Sequence, residues 1–230
     1  MIIIMKKNFR LSTLNFGLLT FLIVFMLCAC GTAKPDPLID AAEVVKKDLP
    51  PDFVSLQALN PDIIAWLYIP GTEINEPVLR REGDDNYYQT HSPDGRTAGT
   101  AVFVQSAYNG VDMNDPITVL NGSNQRQFAN LQYRYAEDGS LEDFGTVIVY
   151  TPAETKTYRV FGAGSFTDAH LLHTYKNDTG MLLSDWSQYH VMSRQYDGMS
   201  ELPAGAKLLV LSTHAREDDD QRYLILATSA

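Results

Sequence analysis

The stretch Asn60-Pro61-Asp62-Ile63-Ile64-Ala65-Trp66-Leu67-Tyr68-Ile69-Pro70-Gly71-Thr72-Glu73-Ile74-Asn75-Glu76-Pro77-Val78 opens with a strand and a tight turn. Ile63 to Ile69 is a short run of apolar, β-branched and aromatic residues, the composition of a strand. Pro70 fixes φ and Gly71 tolerates a positive φ, so Pro70-Gly71-Thr72 reverses the chain. Upstream, Asp52 is placed to cap a short helix running to about Leu59, with Phe53, Leu56 and Leu59 inward. Before that, Leu38, Ile39, Ala42 and Val45 share one face of a helix over Leu38 to Lys47, which Pro50-Pro51 stop. Downstream the period is two, with strands predicted over 101–105, 117–121, 146–151, 155–163, 207–212 and 222–228. Seven or eight strands with short interruptions predict a closed or nearly closed β-barrel. Within the connection from 163 to 207, Leu182, Leu183, Trp186, Tyr189 and His190 stand close to helical spacing, so a helix is predicted over Gly180 to Ser193. The expected fold is therefore mainly β: one barrel domain over residues 38–230, with N-terminal helices and a helix in the long connection before the last two strands.

Composition fits one globular domain: 230 residues, 45% hydrophobic and 20% charged. Lys plus Arg number 18 against 28 Asp plus Glu, and three of the bases, Lys6, Lys7 and Arg10, lie in the first 29 residues, which hold no acid. The remainder carries 15 bases against 28 acids, a net charge of −13. Such a surface repels phosphate backbones over the ~8 Å Debye length, which excludes nucleic acid as a partner. The two cysteines, Cys28 and Cys30, both lie in the apolar leader. The folded region therefore has no disulfide, no thiolate metal site and no cysteine nucleophile.

That leader has a charged beginning followed by an apolar run from Leu14 to Ala29, the pattern of an export signal. At about 16 residues the run is short of the ~20 that a membrane span needs. It ends Leu27-Cys28-Ala29-Cys30-Gly31, which resembles the bacterial lipobox. The resemblance implies a signal peptide over 1–29, Cys30 as the lipidated mature N-terminus, and a short stiff linker over 30–37. Two acyl chains on Cys30 would hold the protein on the outer face of the membrane. An uncleaved signal anchor from Leu11 to Cys30 is the alternative, and it places the domain in the same compartment.

The stretch from Asn60 to Val78 resembles the opening of class B sortases, N-x-D-h-h-x-W-h-x-I-x-G-T-x-I-x-x-P-V. Asp85-Asn86-Tyr87-Tyr88 is similar to the family's D-N-x-Y-Y element, and Gly99-Thr100-Ala101-Val102-Phe103 to its next strand. The resemblance covers about Asp52 to Thr228 and implies a sortase-type closed eight-stranded barrel. Sortases are membrane-held transpeptidases that cleave a sorting signal and join it to an amine of the cell wall or a pilin. They use a His in a Y-G-H-N element, a Cys ending an L-S-T-C strand, and an Arg opening the last strand. Here the corresponding segments are Leu120-Asn121-Gly122-Ser123-Asn124 and Leu211-Ser212-Thr213-His214, followed by Arg222. Ser123 stands where the His belongs, His214 where the Cys belongs, and Arg222 alone matches.

The sortase reaction needs sulfur to hold the acyl group, imidazole to protonate the leaving amine and guanidinium to stabilise the oxyanion. With two of the three replaced, the resemblance implies a pseudo-sortase. Its expected ligand is an extended sorting-signal-like peptide or a cell-wall or pilin protein, with no cofactor and no metal. Two other functions stay open. Ser123 and His214 could form a swapped dyad beside Arg222, making an active hydrolase or acyltransferase, although a serine in a site built for a longer side chain falls short of contact. The chain could instead be a structural subunit of a wall or pilus assembly, with a vestigial groove. His170, His173 and His190 raise a metal hypothesis on spacing alone. The acid run Glu217-Asp218-Asp219-Asp220 reads as a solvated loop, or as a neutralising partner of Arg216 or Arg222, rather than a cation site. Trp66, Tyr87, Tyr88, Tyr133 and Tyr135 read as barrel packing.

Overall fold

The Asp52 carboxylate accepts hydrogen bonds from Val54 N at 3.0 Å and Ser55 Oγ at 2.6 Å, satisfying donors at the start of helix α1, Phe53–Leu59. In the computed structural model, residues 50–97, 99–122, 125–137, 145–167, 171–175, 177–190, 197–215 and 221–229 are described; the helix expected over Leu38–Lys47 lies outside them. Phe53 and Leu56 are buried, but Leu59 is 47% exposed, contrary to the expectation that it faces inward. Three-residue steps advance about 300° on a helix, so two of them carry Leu59 roughly 120° off the line of Phe53.

Strand β1, Ile63–Tyr68, is buried on both faces, which is why its sequence is a continuous apolar run rather than an alternation. A bulge between Ile63 and Ala65 turns both Ile64 and Ala65 toward the barrel interior. Ile63 and Trp66 lie outside it, under Phe53, Leu56 and Tyr88. The turn forms as the sequence predicts: Thr72 N donates to Ile69 O at 3.2 Å, and Gly71 takes φ +74°. Strand β2, Asn75–Leu79, then pairs back on β1, with Pro77 opposite Trp66. Trp66 Nε1 donates to Asn75 Oδ1 at 2.7 Å across this pair.

The remaining strands are β3 Val102–Phe103, β4 Ile117–Asn121, β5 Thr146–Tyr150, β6 Thr155–Thr167, β7 Leu208–His214 and β8 Gln221–Ser229. They close a barrel in the order β1-β2-β3-β4-β7-β8-β6-β5, the eight-stranded architecture expected. β2–β3 and β4–β7 are parallel, and the other pairs are antiparallel. Alternation divides β4, β7 and β8 between two cores. Leu120, Leu209, Leu211, Ile225 and Ala227 fill the interior. Ile117, Val119, Leu208, Val210, Leu224 and Leu226 face outward beneath the helices.

Five further helical pieces complete the described structure. Helix α2, Tyr87–Thr90, follows β2. A kinked stretch, Gln125–Ala129, leads into α3, Leu131–Glu137, between β4 and β5. In the long connection between β6 and β7, α4 covers Leu171–Tyr175 and α5 covers Thr179–His190. Leu182, Leu183 and Trp186 of α5 are buried against the outer face of the sheet. Tyr189, expected with them, is 66% exposed and sets its edge on Phe166, with centroids 5.5 Å apart. Among the described residues, no helix is long and apolar enough to cross a membrane.

Candidate functional site

On the outer face of the barrel three neighbouring strands change character at one end. β4 runs Ile117, Val119, Asn121; β7 runs Leu208, Val210, Ser212, His214; β8, read backwards, runs Leu226, Leu224, Arg222. The apolar positions sit under α4 and α5. Where that cover stops, the polar ends line an open cleft of about 160 Å³. Asn121 pairs with Ser212 across β4–β7, and His214 with Arg222 across β7–β8, so topology brings three remote segments to one floor. Leu171 and Leu172 of α4 form one side, Asn86 and Gln89 another, and Phe103 and Gln105 complete the lining. His214 is exposed and Arg222 half-buried. Tyr223 points the other way, into the barrel core, where burial holds its phenol protonated well above the usual range.

Residues to which the sequence gave no individual role hold this cleft in shape. Gln132, buried on α3, donates from Nε2 to His214 O at 2.7 Å and so fixes the end of β7. Gly122 N donates to Ser212 O at 3.0 Å. A Cβ at residue 122 would stand 2.9 Å from Phe128 Cδ2, so glycine is what lets the chain leave β4 against the packed ring. The Asp85 carboxylate accepts from Ser106 Oγ at 2.8 Å and Ala107 N at 3.2 Å, tying the loop that carries Asn86 to the segment after β3. Asn86 Oδ1 in turn accepts from Gln89 Nε2 at 2.8 Å.

No family model matches the chain. Sortase B of Listeria monocytogenes is 25% identical over 193 residues, 80% of this chain and 75% of that protein. The Clostridium perfringens sortase B structure superposes with a TM-score of 0.64 at 22% identity, covering 78% of this chain and all of that one. The Staphylococcus aureus sortase B–substrate complex gives 0.62 at 18% identity, covering 85% and 94%. The chain has the fold of the class B sortases. The closed eight-stranded barrel and its helices are those of that fold.

Of the residues that the sortase pattern singles out, the structure brings His214 and Arg222 together as cross-strand neighbours in the cleft. Ser123, Cys30 and the acid run 217–220 lie outside the described residues, as does His170. His173 faces a separate hollow beside Ala107, Tyr108 and Asn177. His190 lies against Trp186 with the rings tilted by 30° and centroids 4.0 Å apart, and bonds through Nε2 to Ser165 O at 3.0 Å. Among the described residues, no three His, Cys, Asp or Glu side chains are grouped to hold a metal ion. Tyr88 and Tyr135 are buried packing residues, as expected, while Tyr133 is 41% exposed. Tyr88 also donates from its hydroxyl to Asp62 Oδ2 at 2.7 Å, linking the start of β1 to α2.

Proposed function

We propose that this sortase homologue binds an extended sorting-type peptide, or a segment of a cell-wall or pilin protein, and does not transfer it. In this reading residues 1–29 export the chain, lipid on Cys30 holds it at the outer face of the membrane, and residues 30–37 space the barrel from the bilayer. The leader's charge, length and final cysteines support that placement. The observation that carries the loss of transfer is the side chain at the end of β7. An imidazole, His214, faces Arg222 there, and the sequence after Cys30 contains no thiol. The family's acyl transfer runs through a thioester, and no other sulfur nucleophile is available to form one.

Binding survives the loss of chemistry because it needs only the cleft. An extended peptide laid across it meets backbone-compatible donors and acceptors from Asn86, Gln89, Asn121 and Arg222, with Leu171 and Leu172 for its side chains. The Staphylococcus aureus neighbour was solved as a substrate complex, which supports a peptide as the occupant. The cleft is open among the described residues, whereas a vestigial groove in a purely structural subunit would be filled by side chains. Isothermal titration of the full chain with sorting-type peptides tests the reading. Wild type binds, and Arg222→Ala weakens binding by ~1–3 kcal/mol through loss of a charged donor. No heat of binding from any such peptide would refute it.

A further inference from the structure

Resting on the peptide-binding reading above, the reach of the ligand follows from a second hollow beside the cleft. Between the segment after β3 and helix α4 lies a space of about 250 Å³, lined among the described residues by Ala107, Tyr108, Leu172, His173 and Asn177. Leu172 also lines the cleft, and Gln105 and Leu171 of the same two segments stand in the cleft's walls, so the two spaces adjoin along one groove. We propose that this second hollow receives an aromatic side chain of the bound peptide, from a residue outside the segment that lies over His214 and Arg222.

Both walls are held in place by the fold itself. Tyr108 N and Asn109 N both donate to Gln105 O, at 3.2 and 3.0 Å, which closes a turn. The Arg80 guanidinium donates to Ser106 O at 3.1 Å and to Asn109 O at 2.8 Å, and buried Asn109 donates from Nδ2 to Ile117 O at 2.8 Å. On the other wall, Leu172 and Tyr175 are buried in the outer layer, and the Tyr175 hydroxyl donates to Asp185 Oδ2 at 3.1 Å, holding α4 to α5. A side chain entering between walls already ordered loses little binding energy to ordering them. Each wall nevertheless keeps a ring uncovered: Tyr108 is 36% exposed, and His173 is exposed. An aromatic side chain gains edge or offset-stacked contacts with these rings that an aliphatic one lacks, over the apolar surface of Ala107 and Leu172. The Tyr108 hydroxyl, the His173 ring nitrogens and the Asn177 carboxamide supply donors and acceptors for the polar edge of a tyrosine or tryptophan. The volume falls below the ~300–1,000 Å³ of small-molecule sites and suits a single large side chain.

The test passes a mixed pool of dodecapeptides, each about 40 Å long when extended, over the full-length protein and identifies the retained peptides by mass spectrometry. Phe, Tyr and Trp together are expected to be enriched about fivefold or more at one position of the retained sequences, with the enrichment lost in Tyr108→Ala and reduced in His173→Ala. Retained peptides with no preferred aromatic position overturn the subsite and leave the cleft reading standing. Retention of no peptide overturns the cleft reading, and the subsite with it. Enrichment undiminished in both variants places the aromatic residue elsewhere and overturns the assignment to this hollow. The pattern retained by wild type needs no variant, and the exposed His173 offers a substitution that removes no buried packing, so the proposal is tested even where Tyr108→Ala fails to fold.

Discussion

At the scale of single residues, His190 shows how an imidazole can be conspicuous in sequence and structural in fact. Its ring lies on Trp186 and against Gly164, where a Cβ would come within 2.5 Å of its Cε1. Burial lowers its pKa from the ordinary 6.5, and the hydrogen bond to Ser165 O opposes that only in part. The folded chain therefore holds the neutral ring while the unfolded chain takes up a proton. The stability this gives is fully present above about pH 6.5 and is lost as the pH falls through the window between that value and the lowered one. Urea denaturation at pH 7 and pH 5 is expected to show a smaller loss of midpoint in His190→Gln than in wild type; an equal loss contradicts the assignment. His214 and Arg222 are of the other kind. Nothing in their local sequence marks them, and only the resemblance of their segments to the sortase pattern singled them out before the strand register placed them side by side.

Among the elements, α5 matters most to the cleft, because it and α4 cover the outer faces of β4, β7 and β8 up to the point where those strands turn polar. Leu183 is fully buried there. Leu183→Ala removes buried methyl groups and leaves a void, and it is expected to cost ~2–5 kcal/mol in denaturant unfolding. A cost near zero would mean that α5 does not pack as described. The strands with continuous or alternating apolar runs were legible in the sequence, as was α5 from its 3.6-residue spacing. β2 was not, because Pro77 cannot donate to a ladder and lowers the strand signal of its neighbours. The helix α3 carried a signal that went unread. Leu131, Gln132 and Tyr135, all buried, share one face of it, while Tyr133 and Tyr135 read from the sequence only as barrel packing. Helix α4, with Leu171, Leu172 and Tyr175, is too short for a period to show. The cleft's polar lining was illegible for a further reason. Asn86, Gln89, Gln105 and Asn121 are unremarkable in isolation and become a site only when the barrel's closure brings them to one end.

For the molecule as a whole, the barrel separates what folding needs from what acyl transfer needs. Its stability comes from an interior of apolar residues and an outer layer under helices, and neither depends on the chemistry of the side chains at the end of β7. In the proposed reading, His214 takes the place of the family's cysteine without disturbing the scaffold, and the cleft serves as a binding surface. The most direct measurement incubates the full-length chain with a bound sorting-type peptide and a primary-amine acceptor, and follows both by mass spectrometry. The account predicts that the peptide is recovered intact, with no acyl adduct on the protein and no peptide joined to the acceptor. Cleavage of the peptide and its transfer to the amine with repeated turnover would contradict it.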